Sequence, residues 1–210
     1  MRQPDASGQA VLIVDDDEAF GDSVAALLAS EPFTVRVFRS ADAFLRDYRS
    51  AAVGCVLADL RMPGMDGFAL LAELARRSVA NPVIVMTGHG DVPLAVRAMR
   101  SGAFDFIEKP FSRSGLLVAV DAALRFSRER RESDAARSEF ERNLQRLTER
   151  EREVCALLVD GCANKEVARV LSLSPRTVEV HRARVMEKLQ VESFSQLVRL
   201  GLALKIKPGA

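Results

Sequence analysis

Five side chains in the first half of the chain could do chemistry together: the carboxylates of Asp15, Asp16 and Asp59, the hydroxyl of Thr87 and the ammonium of Lys109. They stand directly after short apolar runs: AVLIV ahead of Asp15, CVLA ahead of Asp59, PVIVM ahead of Thr87 and AFDFIE ahead of Lys109. One strand ending in a carboxylate means little, but a coincidence of such endings carries information. Three carboxylates drawn together repel, and burial protonates some of them unless a cation is present. An oxygen-rich site with few carboxylates and room for water and phosphoryl oxygens suits Mg²⁺. Asp59, at the centre, could then be a nucleophile that forms an aspartyl phosphate. Mg²⁺ and the Lys109 ammonium would stabilise charge on the phosphoryl group in flight. The Thr87 hydroxyl could bond a phosphoryl oxygen on arrival, and a side chain that shifts to do so can act as a switch.

For these groups to meet, the runs before them must be strands that end at one sheet edge. The pattern predicts this. A helix through Val24, Leu27 and Leu28 follows the first run, ending before Pro32, and FTVRVF (33–38) alternates as a second strand. Ser40 is a plausible N-cap for a helix through Phe44 and Leu45. After Asp59 a turn cluster, Pro63-Gly64 and Asp66-Gly67, opens into a helix marked by Phe68, Leu71 and Leu74. A helix through Val92, Val96 and Met99 follows the fourth strand, and Leu116, Leu117, Val120 and Leu124 mark the fifth helix. Strands alternating with helices in this way predict a doubly wound α/β domain with a buried parallel sheet. Ligands of such sheets bind beyond the carboxyl ends of the strands. Asp17 reads as a helix N-terminal charge rather than a member of the site.

Composition sets bounds. A chain of 210 residues, 48% hydrophobic and 28% charged, is an ordinary globular protein of one or two domains. No apolar run approaches the roughly 18 residues that span a bilayer. The N-terminal stretch has neither an apolar core nor a cleavage signature, so a cytoplasmic protein with no membrane partner is expected. Cys55, Cys155 and Cys162 lack a CxxC pair and read as reduced, mostly buried thiols. The net charge of +1 hides an asymmetry: residues 1–126 hold 13 basic against 16 acidic side chains, and residues 148–210 hold 11 against 8. An acidic front and a mildly basic tail suggest different partners.

Residues 127–147 contain no Gly or Pro and mix charges at helical spacing, with a narrow apolar seam of Phe140, Leu144 and Leu147. Two readings stay open there: a solvated charged helix or flexible linker, and a helix that pairs with a second copy. Thr148 is an N-cap ahead of acidic residues, and Val154, Leu157 and Leu158 give the next helix its apolar face until Gly161 ends it. A short helix from Asn164 to Leu171, a turn at 172–174, a third helix with Pro175 at its first position and a fourth from about Ser193 fit a helix-turn-helix. On a helical wheel Val178, Val185 and Leu189 face inward. Arg176, Val180, Ala183 and Arg184 lie opposite or nearly so, with Glu179 at the edge. A helix with small and basic residues outward can enter a major groove.

The motifs VDDD, DLRMPGMDG, MTGHGD and FDFIEKPF resemble those of the receiver domain of two-component response regulators. The tail, LTEREREV and GCANKEVARVLSLSPRTVEVHRARVMEKL, resembles the LuxR-type helix-turn-helix. Together the chain resembles a FixJ/NarL-type transcriptional regulator. The resemblance implies a flavodoxin-like sheet in the order 2-1-3-4-5; the domains expected are a receiver over 8–126, a helical linker over 127–147 and a small all-α DNA-binding domain over 148–210. It implies Asp59 as phosphoacceptor, Asp16, Asp59 and the Arg61 carbonyl as Mg²⁺ ligands with Asp15 acting through water, and Thr87, Lys109 and Phe106 as the phosphoryl-binding and switch residues. It also implies a cis Lys109-Pro110 peptide, and DNA contact by Lys165, Arg176, Thr177, Glu179, Val180, Arg182, Ala183 and Arg184. Expected partners are a sensor histidine kinase, promoter DNA, a second copy on phosphorylation and RNA polymerase; no enzymatic activity is expected. Two departures stand out: Cys155 and Cys162 sit where apolar or small residues are common, and Phe194 replaces a frequent basic residue. A haloacid-dehalogenase-like phosphotransferase would carry an Asp at the Arg61 position. An RNA or protein target for the tail is the remaining alternative. His89, beside Thr87, reads as loop polarity, and Gly88 as an open pocket mouth.

Overall fold

The computed structural model describes residues 8–48, 53–88 and 92–208, so His89 lies outside the described residues. Five strands, β1 (Gln9–Val14), β2 (Thr34–Phe38), β3 (Val53–Asp59), β4 (Val83–Thr87) and β5 (Asp105–Glu108), form one parallel sheet in the order β2-β1-β3-β4-β5. Between them run α1 (Glu18–Leu28), α2 (Ala41–Asp47), α3 (Gly67–Arg76) and α4 (Val92–Arg100). The residues on the two faces of each strand join different cores. Val11, Ile13, Cys55, Leu57, Ile84 and Met86 pack with Val24 and Leu28 of α1 and with Leu116 and Val120 of the helix after β5. Leu12, Val14, Val56, Ala58 and Val85 pack with Phe44, Leu70, Leu74 and Ala98 of α2, α3 and α4. This is why β1, β3 and β4 read as unbroken apolar runs: both faces are buried.

Local chemistry sets the helix starts. Asp17, Ser40 and Asp66 cap α1, α2 and α3, each accepting a backbone N–H three residues on. Gly54, on β3, stands so close to β1 that an added Cβ would lie 2.4 Å from the Ala10 carbonyl oxygen and 3.0 Å from the Asn81 amide nitrogen. The Gly54 N–H donates to the buried Ser127 hydroxyl at 3.2 Å.

The stripe Val92, Val96, Met99 marks a helix as expected, and it faces outward, exposed to 78%, 44% and 48%. Ala98 and Leu94 make the inward contact. A stripe of helical period says that the helix has an apolar face, not what lies against it.

The helix after β5, α5, runs from Arg113 to Leu144 without a break. The chain divides into two compact units, residues 1–132 and 133–210, so α5 begins in the first and ends in the second. The seam Phe140, Leu144, Leu147 does not await a second copy: it joins Cys155, Val159, Val185, Leu189 and Leu197 in the core of the second unit. That unit continues with α6 (Glu149–Val159), α7 (Asn164–Val170), α8 (Pro175–Leu189) and α9 (Phe194–Ala203). A second core, Val154, Leu158, Val167, Ala168 and Val178, joins α6, α7 and α8. Thr148 and Glu151 form a reciprocal capping box at the start of α6. Glu151 is buried and accepts from the Lys188 ammonium at 2.7 Å, tying α6 to α8. Burial opposes its charge, but the Lys188 bond and the two bonds from Thr148 outweigh that and hold the carboxyl at about 2. The cysteines are free, and burial pushes Cys55 up to about 12 and Cys155 up to about 11, which keeps both thiols inert. Among the described residues no helix is long and apolar enough to cross a membrane.

Two outcomes are expected. Gly54→Ala should cost about 1–3 kcal/mol of stability by overpacking against backbone, measured as a shift in chemical unfolding of the first unit. Glu151 has a depressed folded pKa, so its stabilisation is complete above about 4.5 and is lost as pH falls toward about 2. The stability gap between wild type and Glu151→Gln should therefore narrow over that window and be constant above it.

Candidate functional site

The carboxyl ends of β1, β3, β4 and β5 meet at one rim. Asp15 follows β1, Asp59 ends β3, Thr87 ends β4 and Lys109 follows β5. Backbone bonds lock these ends together: the Asp15 N–H donates to Phe38, Leu60 to Met86 and Lys109 to the Thr87 carbonyl at 2.7 Å. The Gly67 N–H donates to the Leu60 carbonyl, and a Cβ there would lie 2.6 Å from the Asp59 carbonyl oxygen, so only glycine lets α3 start this close.

Onto this frame the site assembles around one ammonium. Lys109 Nζ donates to Asp59 Oδ1 at 2.6 Å and to Asp15 Oδ2 at 2.8 Å, and lies 3.8 Å from the centre of the Phe20 ring. Phe20 in turn packs edge-on against Phe111. Asp59 Oδ2 accepts the Arg61 N–H at 2.6 Å, and Asp15 Oδ1 accepts the Asp17 N–H at 3.0 Å. Asp15, Asp59 and Thr87 are buried. Burial raises the Asp15 carboxyl above its ordinary value, with Lys109 offsetting only part of the effect. Burial works against the Lys109 charge too, but its bonds to Asp15 and Asp59 win and its pKa is raised. The result is two buried carboxyl groups bonded to one ammonium.

Asp15, Asp59 and Lys109 thus come together, with Thr87 joined to Lys109 through the backbone. Phe106 pairs in register with Val85, two residues before Thr87, so alternation directs both toward the same sheet face. It is half-buried against that face's core. The Lys109-Pro110 peptide is cis. Asp16 is exposed, and among the described residues no three acidic, His or Cys side chains converge as a ready metal cage. The donors present are nonetheless hard oxygens: two buried carboxylates, exposed Asp16 beside them, and the Arg61 backbone fixed against Asp59. Mg²⁺ is commonly held through one or two carboxylates with several waters retained, so this donor set fits it. Among the described residues a Cβ on Gly88 would meet nothing within 4 Å.

In the second unit, α8 presents Arg176, Glu179, Val180, Ala183 and Arg184 outward, while Val178, Val185 and Leu189 are buried. Lys165 on α7 is exposed as well. Thr177 and Arg182 are half-buried: the Thr177 hydroxyl bonds Ser174 within the α8 cap, and the Arg182 guanidinium lies over the Phe194 ring. Residue patterns alone missed the aromatic neighbours of Lys109 and Arg182, because those contacts join distant segments. They also missed His181, whose Nδ1 is buried without a hydrogen-bond partner among the described residues.

Comparison with known proteins supplies the family. Residues 11–121 match the response regulator receiver domain, and residues 145–201 match the bacterial regulatory proteins of the luxR family. The chain is 48% identical to the transcriptional regulatory protein FixJ of Azorhizobium caulinodans over 198 residues, covering 94% of each chain. It is 45% identical to FixJ of Rhizobium meliloti, covering 92% of this chain and 95% of that one. Among solved structures, the response regulator StyR superposes with a TM-score of 0.74 at 38% identity over 93% of this chain and 98% of its own. Full-length FixJ from B. japonicum gives 0.57 at 44% identity over 92% and 95%.

Removing Lys109 should leave Asp15 and Asp59 as unpaired buried carboxylates. Lys109→Met, studied with a chelator present, is expected to destabilise the first unit at pH 7 by about 3–5 kcal/mol. Because burial already raises Asp15, protonation then relieves the defect, so the variant should gain stability as pH falls from 7 toward 5. Urea unfolding at the two pH values checks this.

A receiver with its acidic rim, a helix-turn-helix behind it and full-length similarity to FixJ lead to one statement: the chain belongs to the FixJ-type response regulators, phosphorylation-dependent, DNA-binding regulators of transcription.

Proposed function

We propose that Asp59 is the phosphoacceptor, that Lys109 and Thr87 receive the phosphoryl oxygens, and that the phosphorylated chain pairs with a second copy to bring two α8 helices to promoter DNA. The observation that carries this reading is the Lys109 ammonium, 2.6 Å from Asp59 and 2.8 Å from Asp15 at the strand ends. An Asp59 carboxylate oxygen attacks phosphorus in line with the leaving group. The P–N bond to the imidazole of a sensor histidine kinase breaks, and the imidazole recovers a proton. Both Asp59 oxygens start hydrogen-bonded, to Lys109 and to the Arg61 N–H. The ammonium can pass its bond from the carboxylate to a phosphoryl oxygen, so it follows the charge as the charge moves. When bound, Mg²⁺ supplies further charge neutralisation; Asp16, Asp59, the Arg61 carbonyl and, through water, Asp15 would hold it.

The Thr87 hydroxyl then turns to the phosphoryl group, and Phe106, toward the same sheet face, repacks. Through it the α4–β5–α5 surface changes. The exposed Val92, Val96 and Met99 give that surface an apolar patch for a second copy. On this reading 8–126 is the switch, 127–147 the helical connection and 148–210 the reader. Two α8 helices meet half-sites about one helical turn apart. Arg176, Arg182, Arg184 and Lys165 are suited to phosphates, and Thr177, Glu179, Val180 and Ala183 to base edges or the sugar-phosphate rim. The kinase and RNA polymerase would be met in the cytoplasm.

The test treats full-length protein and Asp59→Asn with a small-molecule phosphodonor. The wild type should gain the mass of one phosphoryl group, sediment as a dimer and bind duplex DNA more tightly; Asp59→Asn should do none of these. A wild type whose oligomeric state and DNA affinity ignore the donor would overturn the gating.

A further inference from the structure

Resting on the DNA reading of α8, we propose that Phe194 is a positioning residue for DNA binding: its ring holds the Arg182 guanidinium so that its N–H groups meet a backbone phosphate. Arg182 Cζ lies 4.7 Å from the centre of the Phe194 ring. Phe194 is the first residue of α9 and 37% exposed, an aromatic ring left at the surface beside α8 instead of in the core. Its platform is firm. Ser193 caps α9, accepting from the Gln196 N–H at 3.2 Å, and the Glu192 N–H donates to the Gln196 side chain at 2.9 Å.

The charges around α8 divide into spent and unspent. Lys188 is bound to Glu151 at 2.7 Å, Arg150 to Glu153 and the Leu171 carbonyl, and Arg152 to the Gln145 carbonyl. Among the described residues no carboxylate pairs with Arg182. Attraction between a cation and a ring face holds the guanidinium without using its N–H donors, which stay available for the fork-like bonding that phosphate accepts. Held in advance, the side chain loses less freedom on binding. Phe194 itself offers a phosphate nothing; its contribution passes through Arg182.

The experiment uses full-length, phosphodonor-treated protein and a short mixed-sequence DNA duplex, with affinity read by fluorescence anisotropy across a salt series. Phe194→Leu keeps bulk and removes the ring; it should weaken binding about threefold to tenfold, while Phe194→Tyr restores it. Arg182→Ala should weaken binding at least as much and lower the salt slope by about 0.9, the signature of one lost phosphate contact. Adding Phe194→Leu to Arg182→Ala should bring no further loss. Melting curves confirm folding, and Phe194→Met replaces the Leu variant if that one is destabilised. Wild-type affinity in Phe194→Leu, a Tyr variant as weak as the Leu variant, or a ring effect that persists without Arg182 would each overturn the proposal. The last outcome would mean that Phe194 acts by a route other than Arg182. Absence of duplex binding by the wild type would remove the DNA reading and this inference with it, whereas salt-sensitive loss in Arg182→Ala alone would remove only the role of Phe194.

Discussion

Two carboxylates brought out of water onto one rim need a counter-charge, and in this protein a single ammonium provides it. Lys109 reaches Asp15 and Asp59 across 94 and 50 residues of sequence. That reach exists only because the sheet places β1 and β3 side by side and β5 beyond β4. Unpaired, two buried carboxylates repel each other; here both bond the same ammonium. The packing of the first unit therefore has two consequences at once: it buries the strands, and it sets the spacing of the charges. Phe20 adds a polarisable face to the third side of the ammonium, so acid, amine and aromatic ring share one small volume.

The second unit applies the same electrostatic logic to a different end. Glu151 sits buried in its capping box with Lys188 as counter-ion, which fastens the start of α6 to the last turn of α8. That bond engages a cation of α8 itself, and Arg150 is likewise committed to internal partners. The charges left for a polyanion are fewer than the sequence count suggests, and their placement matters more than their number. Arg182, set against an aromatic ring, is the one whose direction the fold constrains most visibly.

The α4 stripe and the α5 seam show how the same apolar signal can have opposite fates. Both have helical spacing. Val92, Val96 and Met99 face solvent, whereas Phe140 and Leu147 are sealed in the second unit's core. Small Ala98 allows α4 to approach the sheet by its other side, leaving the larger residues outward. The seam at the end of α5 and the turn after it meets α6, α8 and α9, each with an apolar face of its own to cover.

What could be read from residue order alone is what depends on neighbours in the chain. Strand runs, the caps Asp17, Ser40, Asp66 and Thr148, the turn at Pro63-Gly64 and the apolar face of α8 are set by local sterics and by hydrogen bonds a few residues long. Four reactive endings followed at once, since parallel strands of one sheet all end at the same edge. What lay beyond the sequence is what depends on partners far along it. Asp16 stays exposed beside the buried carboxylate pair, Thr177 bonds into a cap, α4 turns its stripe outward and Phe194 takes up Arg182. Charge and aromatic contacts act over a few ångströms with no regard for sequence separation, so only the closed tertiary structure decides which of them form.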